Sequence, residues 1–242
     1  MEHGLPECLV RRFKAVPDPL VRRRLVNETL SLLDPLSVAG FLAYLLASRD
    51  DTGARASWLD AVLGILFEPV FSRDRLDQIR KALSPLAVWG FLQDDDSDGA
   101  GSCVSTPYDL EEVPLGWRKA RARGRNRDDL RRLAHDPDPS VIRILCENPA
   151  VTELDVLSCV AKRPQSAPIF AEVVRSVRFG TREAVQAGIV MNPWCPRRFA
   201  LALLPMLPRT RLREVSAMTP LSEAVRRAAR ELADPGSLHT SP

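Results

Sequence analysis

Histidine, cysteine, lysine and aromatic residues are all scarce in this chain, and each scarcity removes a class of chemistry. The three histidines, His3, His135 and His239, fall at the two ends and in one helix-forming segment, with no H-x-x-x-H and no Cys/His spacing. A zinc centre needs convergent imidazole or thiolate ligands, so no metal site is expected. His135 stands before Asp136-Pro137, near the expected end of a helix, where partial positive charge is favourable. The five cysteines (Cys8, Cys103, Cys146, Cys159, Cys195) are scattered, odd in number and never form C-x-x-C. That usage fits a reducing cytoplasm, with Cys146, Cys159 and Cys195 as small buried hydrophobes.

Catalytic signatures are missing too. No G-x-S-x-G, G-x-x-x-x-G-K-[ST] or G-x-G-x-x-G occurs, so nothing announces a nucleophile elbow, a phosphate-binding loop or a dinucleotide fold. The carboxylate pairs Asp50-Asp51, Glu111-Glu112 and Asp128-Asp129 sit at helix edges or in loops, where acids serve caps and solubility. The chain reads as a non-enzyme with no catalytic residue and no cofactor. Its longest apolar runs, such as Val38–Ala47, fall short of the ~20 residues a spanning helix needs. The start MEHGLPECLVRRF lacks the basic region and apolar core of a signal peptide. A cytoplasmic protein away from the membrane is expected.

Lysine occurs only at Lys14, Lys81, Lys119 and Lys162, so arginine carries almost all the positive charge. Guanidinium favours bidentate pairing with carboxylate or phosphate. The formal net charge of +3 is nevertheless too small to advertise nucleic acid or membrane through a global field. Aromatic content of 6% within 45% hydrophobic residues suits helices packed through Leu, Val and Ala.

What is present is recurrence. DPLSVAGFL at Asp34–Leu42 returns fifty positions later as SPLAVWGFL at Ser84–Leu92, and PDPLVRRRL at Pro17–Leu25 is echoed by PDPSVIRIL at Pro137–Leu145. Recurrence at roughly 40–50 residues marks helical repeat arrays, in which each unit covers its neighbour's apolar face. The expected fold is all-α, a helical repeat array (α-solenoid), in two helical halves. Residues 1–93 hold helices set off by proline and aspartate stops, and they carry the duplicated unit. Asp34 and Ser84 are placed to cap helices whose first residues are Pro35 and Pro85. Glycine inside a helix costs about 1 kcal/mol relative to alanine, so Gly40 and Gly90 are both expected to face a neighbouring helix at close range. An acidic, Gly/Ser-rich linker follows at 94–113, a second helical region at 114–235 and a frayed tail at 236–242.

Within that second region, Val141, Leu145 and Asn148-Pro149 align with Val185, Ile189 and Asn192-Pro193, and a weaker third copy falls at Val225 and Ala229. The pattern from Asp136 to Leu145, the Asn-Pro pairs and the helices bearing Leu154, Leu157, Ala161 and Leu201–Leu204 resembles the HEAT-like and leucine-rich repeat variant families of bacteria. The resemblance covers about half the chain and implies a HEAT-like stack. The 44-residue spacing of the Asn-Pro pairs is nearer a HEAT-type unit than the shorter variant repeat, and the cysteine cluster that binds iron–sulfur in some variant-repeat proteins has no counterpart.

Two charged runs stand out. Asp94, Asp96, Asp98 and Gly99 copy the first half of a calcium loop, but its closing position is Ser105 rather than Glu, and Glu111 and Glu112 are out of register. The run reads as solvated linker. Trp117, Arg118, Lys119, Arg121, Arg123, Arg125 and Arg127 form the sharper feature, a basic stretch beside an aromatic ring. Solenoids present extended surfaces, so the first reading is a non-enzymatic scaffold or interaction module whose basic stretch meets a protein partner, acidic in character. The rival is a nucleic-acid-binding HEAT-like protein that neutralises phosphates with this stretch and with Arg175, Arg178, Arg182, Arg197 and Arg198, Trp117 being available for stacking. A HEAT-like glycosylase would need an acidic and aromatic pocket, and Trp194 has no acid near it in sequence.

Overall fold

The computed structural model describes residues 4–68, 71–93 and 113–234, and among them all regular structure is helical, with no strand. The expectations for Asp94–Gly99, Ser105, Glu111-Glu112, Cys103, His3, His239 and the tail lie outside the described residues. The helices in chain order are α1 (Leu5–Lys14), α2 (Pro19–Leu32), α3 (Pro35–Ala47), α4 (Thr52–Phe67), α5 (Arg73–Lys81) and a 3-10 helix (Ala87–Leu92). They continue with α6 (Leu115–Ala122), α7 (Arg127–Leu133), α8 (Pro139–Glu147), α9 (Glu153–Ala161), α10 (Ala167–Arg175), α11 (Glu183–Val190), α12 (Arg197–Leu203), α13 (Arg209–Ala217) and α14 (Glu223–Ala233). Cap chemistry sets many of the starts. Asp18, Asp34 and Asp138 each accept a hydrogen bond from the first turn, and the proline that follows occupies a position whose N–H has no helical partner.

Two compact units divide the chain. One takes the described residues up to 93 together with those from 197 on, and the other takes 113–196. The sequence grouped 114–235 together; the contacts instead assign α12, α13 and α14 to the first unit. Three long-range hydrogen bonds show why. Trp58 Nε1 donates to the Ala202 carbonyl at 2.9 Å, Arg55 to that of Met206 at 2.5 Å and Arg49 to that of Leu232 at 2.5 Å. Around them, the ring of Trp58 lies 6.0 Å from Trp89 and 5.9 Å from Phe91, and Phe67 lies 5.4 Å from Phe199. The unit is organised on α4, which is buried from Ser57 to Ile65. Asp60 on that helix is 1% exposed and held by Arg22 at 2.6 Å and Arg23 at 3.5 Å. Burial pushes its carboxyl above the usual range, and the two guanidinium groups oppose that rise.

The two copies of the duplicated motif fold differently. In the first, Asp34 Oδ1 accepts from Leu36 N and Ser37 N at 3.0 Å each and α3 runs to Ala47. In the second, the helix expected over Pro85–Gln93 is a six-residue 3-10 helix, Ala87–Leu92, and the Ala87 N–H is taken by Glu231 Oε2 at 2.8 Å. Trp89 stands where the first copy has Ala39, and the acids that follow Gln93 replace the apolar residues that prolong α3. Leu36, in the first turn of α3, is 70% exposed.

The glycine expectation is half corrected. A Cβ on Gly40 would meet nothing within 4 Å, whereas one on Gly90 would lie 2.8 Å from Leu201 Cδ1. A tighter contact is at Gly64, where a Cβ would fall 2.0 Å from the Asn27 side-chain Oδ1. Gly40→Ala is therefore expected to raise stability by about 0.5–1 kcal/mol through helix propensity alone. Gly64→Ala should lower it by about 1–2 kcal/mol by driving the Asn27 side chain of α2 out of its place against α4. Urea unfolding of the two variants checks both signs.

The second unit is built of two rows. In one, α6 packs on α8 and α8 on α10; in the other, α9 packs on α11, and α7 is tied to α9 through Arg127, which grips Asp155 with two bonds of 3.0 Å. Helix ends are matched by side chains that satisfy terminal carbonyls. Asn148 Nδ2 donates to the carbonyls of Ala122 and Gly124 at 2.7 Å each, and Asn192 Nδ2 donates to those of Val160 and Lys162 at 2.7 and 2.9 Å. In each asparagine Oδ1 accepts the N–H two residues on, from Ala150 at 2.8 Å and from Trp194 at 3.0 Å. The two turns are locally equivalent, as their sequence suggests. They nevertheless end helices of different rows, because 44 residues span three helices here.

Candidate functional site

The basic stretch is partly helical, and its arginines divide by what they touch. Leu115–Ala122 forms α6, with Ala122 as its buried residue. Arg118 turns inward to Asp136, at 2.5 Å, and Arg127 to Asp155 and the Ala150 carbonyl, the latter at 2.8 Å. Asp136 is 1% exposed, and burial pushes its carboxyl up against the pull of the Asp138 N–H and Arg118. Burial also opposes ionisation of Asp155, but bonds from Arg127 and Thr152 outweigh it and hold that carboxyl below the usual range. These two arginines are structural ties.

The remainder faces outward. Trp117 is 63% exposed, and the Arg121 guanidinium lies 5.7 Å from its ring centroid, a cation–π geometry. Arg121 also approaches Asp129 at 3.6 Å. Arg123 Nη1 donates to the Lys119 carbonyl at 3.1 Å, and Arg123 and Arg125 are exposed, while Lys119 is half-buried. The Asn148 bonds bring the end of α8 against that of α6, and Arg178 donates in turn to the Asn148 carbonyl at 2.8 Å while lying 4.7 Å from the Phe179 ring centroid. Arg123, Arg125 and Arg178 thus share one edge of this unit, joined by exposed Arg182 at the start of α11. Arg175 pairs with Glu172 at 3.1 Å, and Arg197 and Arg198 belong to the other unit.

Comparison with family models, with curated proteins and with solved structures finds no match for this chain.

Reactive chemistry has little footing among the described residues. Cys146 and Cys159 are buried beside an apolar void; burial pushes the Cys146 thiol up to about 12 and that of Cys159 higher than its ordinary value. A nucleophilic cysteine needs the opposite shift. His135 is half-buried, its carbonyl accepts from Lys162 Nζ at 3.1 Å, and burial together with that ammonium lowers its imidazole pKa. No group of three or more His, Cys, Asp or Glu side chains is placed to hold a metal ion among the described residues, and no described helix is long and apolar enough to cross a membrane.

Proposed function

We propose that the chain is a non-enzymatic interaction module of the cytoplasm, a HEAT-like helical repeat array whose second unit meets an acidic protein partner. The observation that carries this reading is the exposed Trp117 with Arg121 against its ring, beside exposed Arg123 and Arg125. Exposed aromatic and arginine side chains dominate the energetics of protein interfaces. Arg178 and Arg182 extend the same edge and suit a partner lying along it. The paired rows and the shared asparagine ties support the repeat reading, since solenoid units pack against their neighbours in the stack.

The test is charge reversal. A fluorescent Glu/Asp-rich peptide should bind the wild-type chain, and the variant Arg121→Glu, Arg123→Glu, Arg125→Glu should lose at least about thirtyfold in affinity, roughly 2 kcal/mol. Thermal melting should stay within a few degrees, because the Arg123 and Arg125 side chains reach no buried carboxylate. Random duplex DNA should bind neither protein at physiological salt. Salt-sensitive DNA binding by the wild type, lost in the triple variant, would replace this reading with the nucleic-acid one.

A further inference from the structure

A separate cleft in the first unit draws on none of the residues of the basic stretch. A cleft of about 450 Å³ opens between the segment that ends α5 and carries the 3-10 helix and the faces of α12 and α14. That volume lies within the ~300–1,000 Å³ of small-molecule sites. Its walls carry four cations, Arg80, Lys81, Arg197 and Arg227, and among the described residues no carboxylate lines it. Glu231 is the acid at hand, and it is engaged by Arg227 Nε at 2.9 Å and by the Ala87 N–H. Lysine and arginine offer donors only, so the walls present an excess of positive charge and N–H groups.

The apolar lining comes from Leu83, Leu86, Leu201 and the ring of Trp89. Trp89 is 3% exposed, and its indole N–H has no hydrogen-bond partner. Buried Trp N–H groups are ordinarily bonded, and this one sits in a ring that lines the cleft. An indole N–H can only donate, so what would satisfy it is an acceptor. Gly90, also on the wall, lies against Leu201, and a Cβ there would fall 2.8 Å from Leu201 Cδ1.

We propose that this cleft binds a small amphipathic organic anion: a phosphomonoester or carboxylate head held by the arginines, on a compact apolar body that lies against Leu83, Leu86 and Leu201. The head supplies the acceptor for the Trp89 N–H. Convergent cations in a partly water-excluded cleft favour such a head over a neutral polar group.

Phenyl phosphate, benzoate and neutral benzyl alcohol serve as probes on the full chain. Binding is followed by the indole N–H resonances of the tryptophans, Trp89 being assigned by its loss in Trp89→Phe. Phenyl phosphate and benzoate should move the Trp89 resonance with saturation in the micromolar to low millimolar range, and benzyl alcohol should not. Arg80→Gln with Arg197→Gln should weaken phenyl phosphate by about tenfold or more, Gly90→Leu should block it, and Trp89→Phe, which removes the indole N–H, should weaken it severalfold. Arg80→Gln alone alters an exposed side chain and should still weaken binding measurably, whatever the fate of the double variant. An unmoved Trp89 resonance with both anions, equal binding of benzyl alcohol, or full affinity in Arg80→Gln would each overturn the proposal.

Discussion

Arg118→Ala is expected to lower the unfolding free energy by about 3 kcal/mol, although the residue lies in a stretch that reads as a solvated run. Asp136 is 1% exposed and takes one bond from Arg118 and another from the Asp138 N–H at 2.9 Å. Removing one partner of a buried pair leaves an uncompensated charge, and such losses are typically about 3–5 kcal/mol; the 15% exposure of the Arg118 side chain places this pair at the lower end. Asp136→Asn should be milder, since an amide oxygen still accepts from Asp138. Combining the two substitutions should cost clearly less than their sum, because the amide no longer needs a counter-ion. Guanidinium chloride unfolding of the three variants measures that coupling, and strict additivity would show that Arg118 contributes only surface charge.

Asn192→Ala should cost about 2–3 kcal/mol. It leaves the Val160 and Lys162 carbonyls and the Trp194 N–H without their partners at a site that is 2% exposed, and each unsatisfied buried group costs about 1–3 kcal/mol, partly recovered by water. Asn192→Asp is the sharper probe. It keeps the acceptor for Trp194 but points a carboxylate oxygen at two carbonyls, so it should destabilise at least as much as alanine. Asn148→Asp should behave alike at the end of α8. If Asp is tolerated at either site, the two-carbonyl bond is not what secures these turns.

Local signals made the helices legible. The cap at Asp34, with its side chain on the first turn, stands where the sequence puts it, whereas Ser84 is not the cap of the second copy, whose helix begins only at Ala87. The Asn-Pro turns were legible for the same reason, since an asparagine bonded to the main chain is a short-range device. Helix α6 was missed because a single buried residue, Ala122, gives it almost no apolar period. The roles of Arg118 and Arg127 were out of reach, because their carboxylates lie 18 and 28 residues away and nothing in a basic run says which arginine turns inward. The Trp89 cleft was hidden for a related reason. Its walls come from residues 80–93 and 197–227, which the sequence assigned to different regions.

The hydrogen bonds from Arg49, Arg55 and Trp58 to carbonyls beyond residue 200 also set an order of events during synthesis. A ribosome delivers residues 113–196 complete while the first unit still lacks α12, α13 and α14. Trp58 then waits 144 residues for the Ala202 carbonyl, and the apolar sides of α4 and the 3-10 helix stay open until the segment from Arg197 on emerges. The second unit is free to fold early from local contacts, whereas the first must close a loop around it, and such non-local closure is slow. A stalled or truncated chain would therefore carry one finished unit and one with its core exposed to chaperones and proteases.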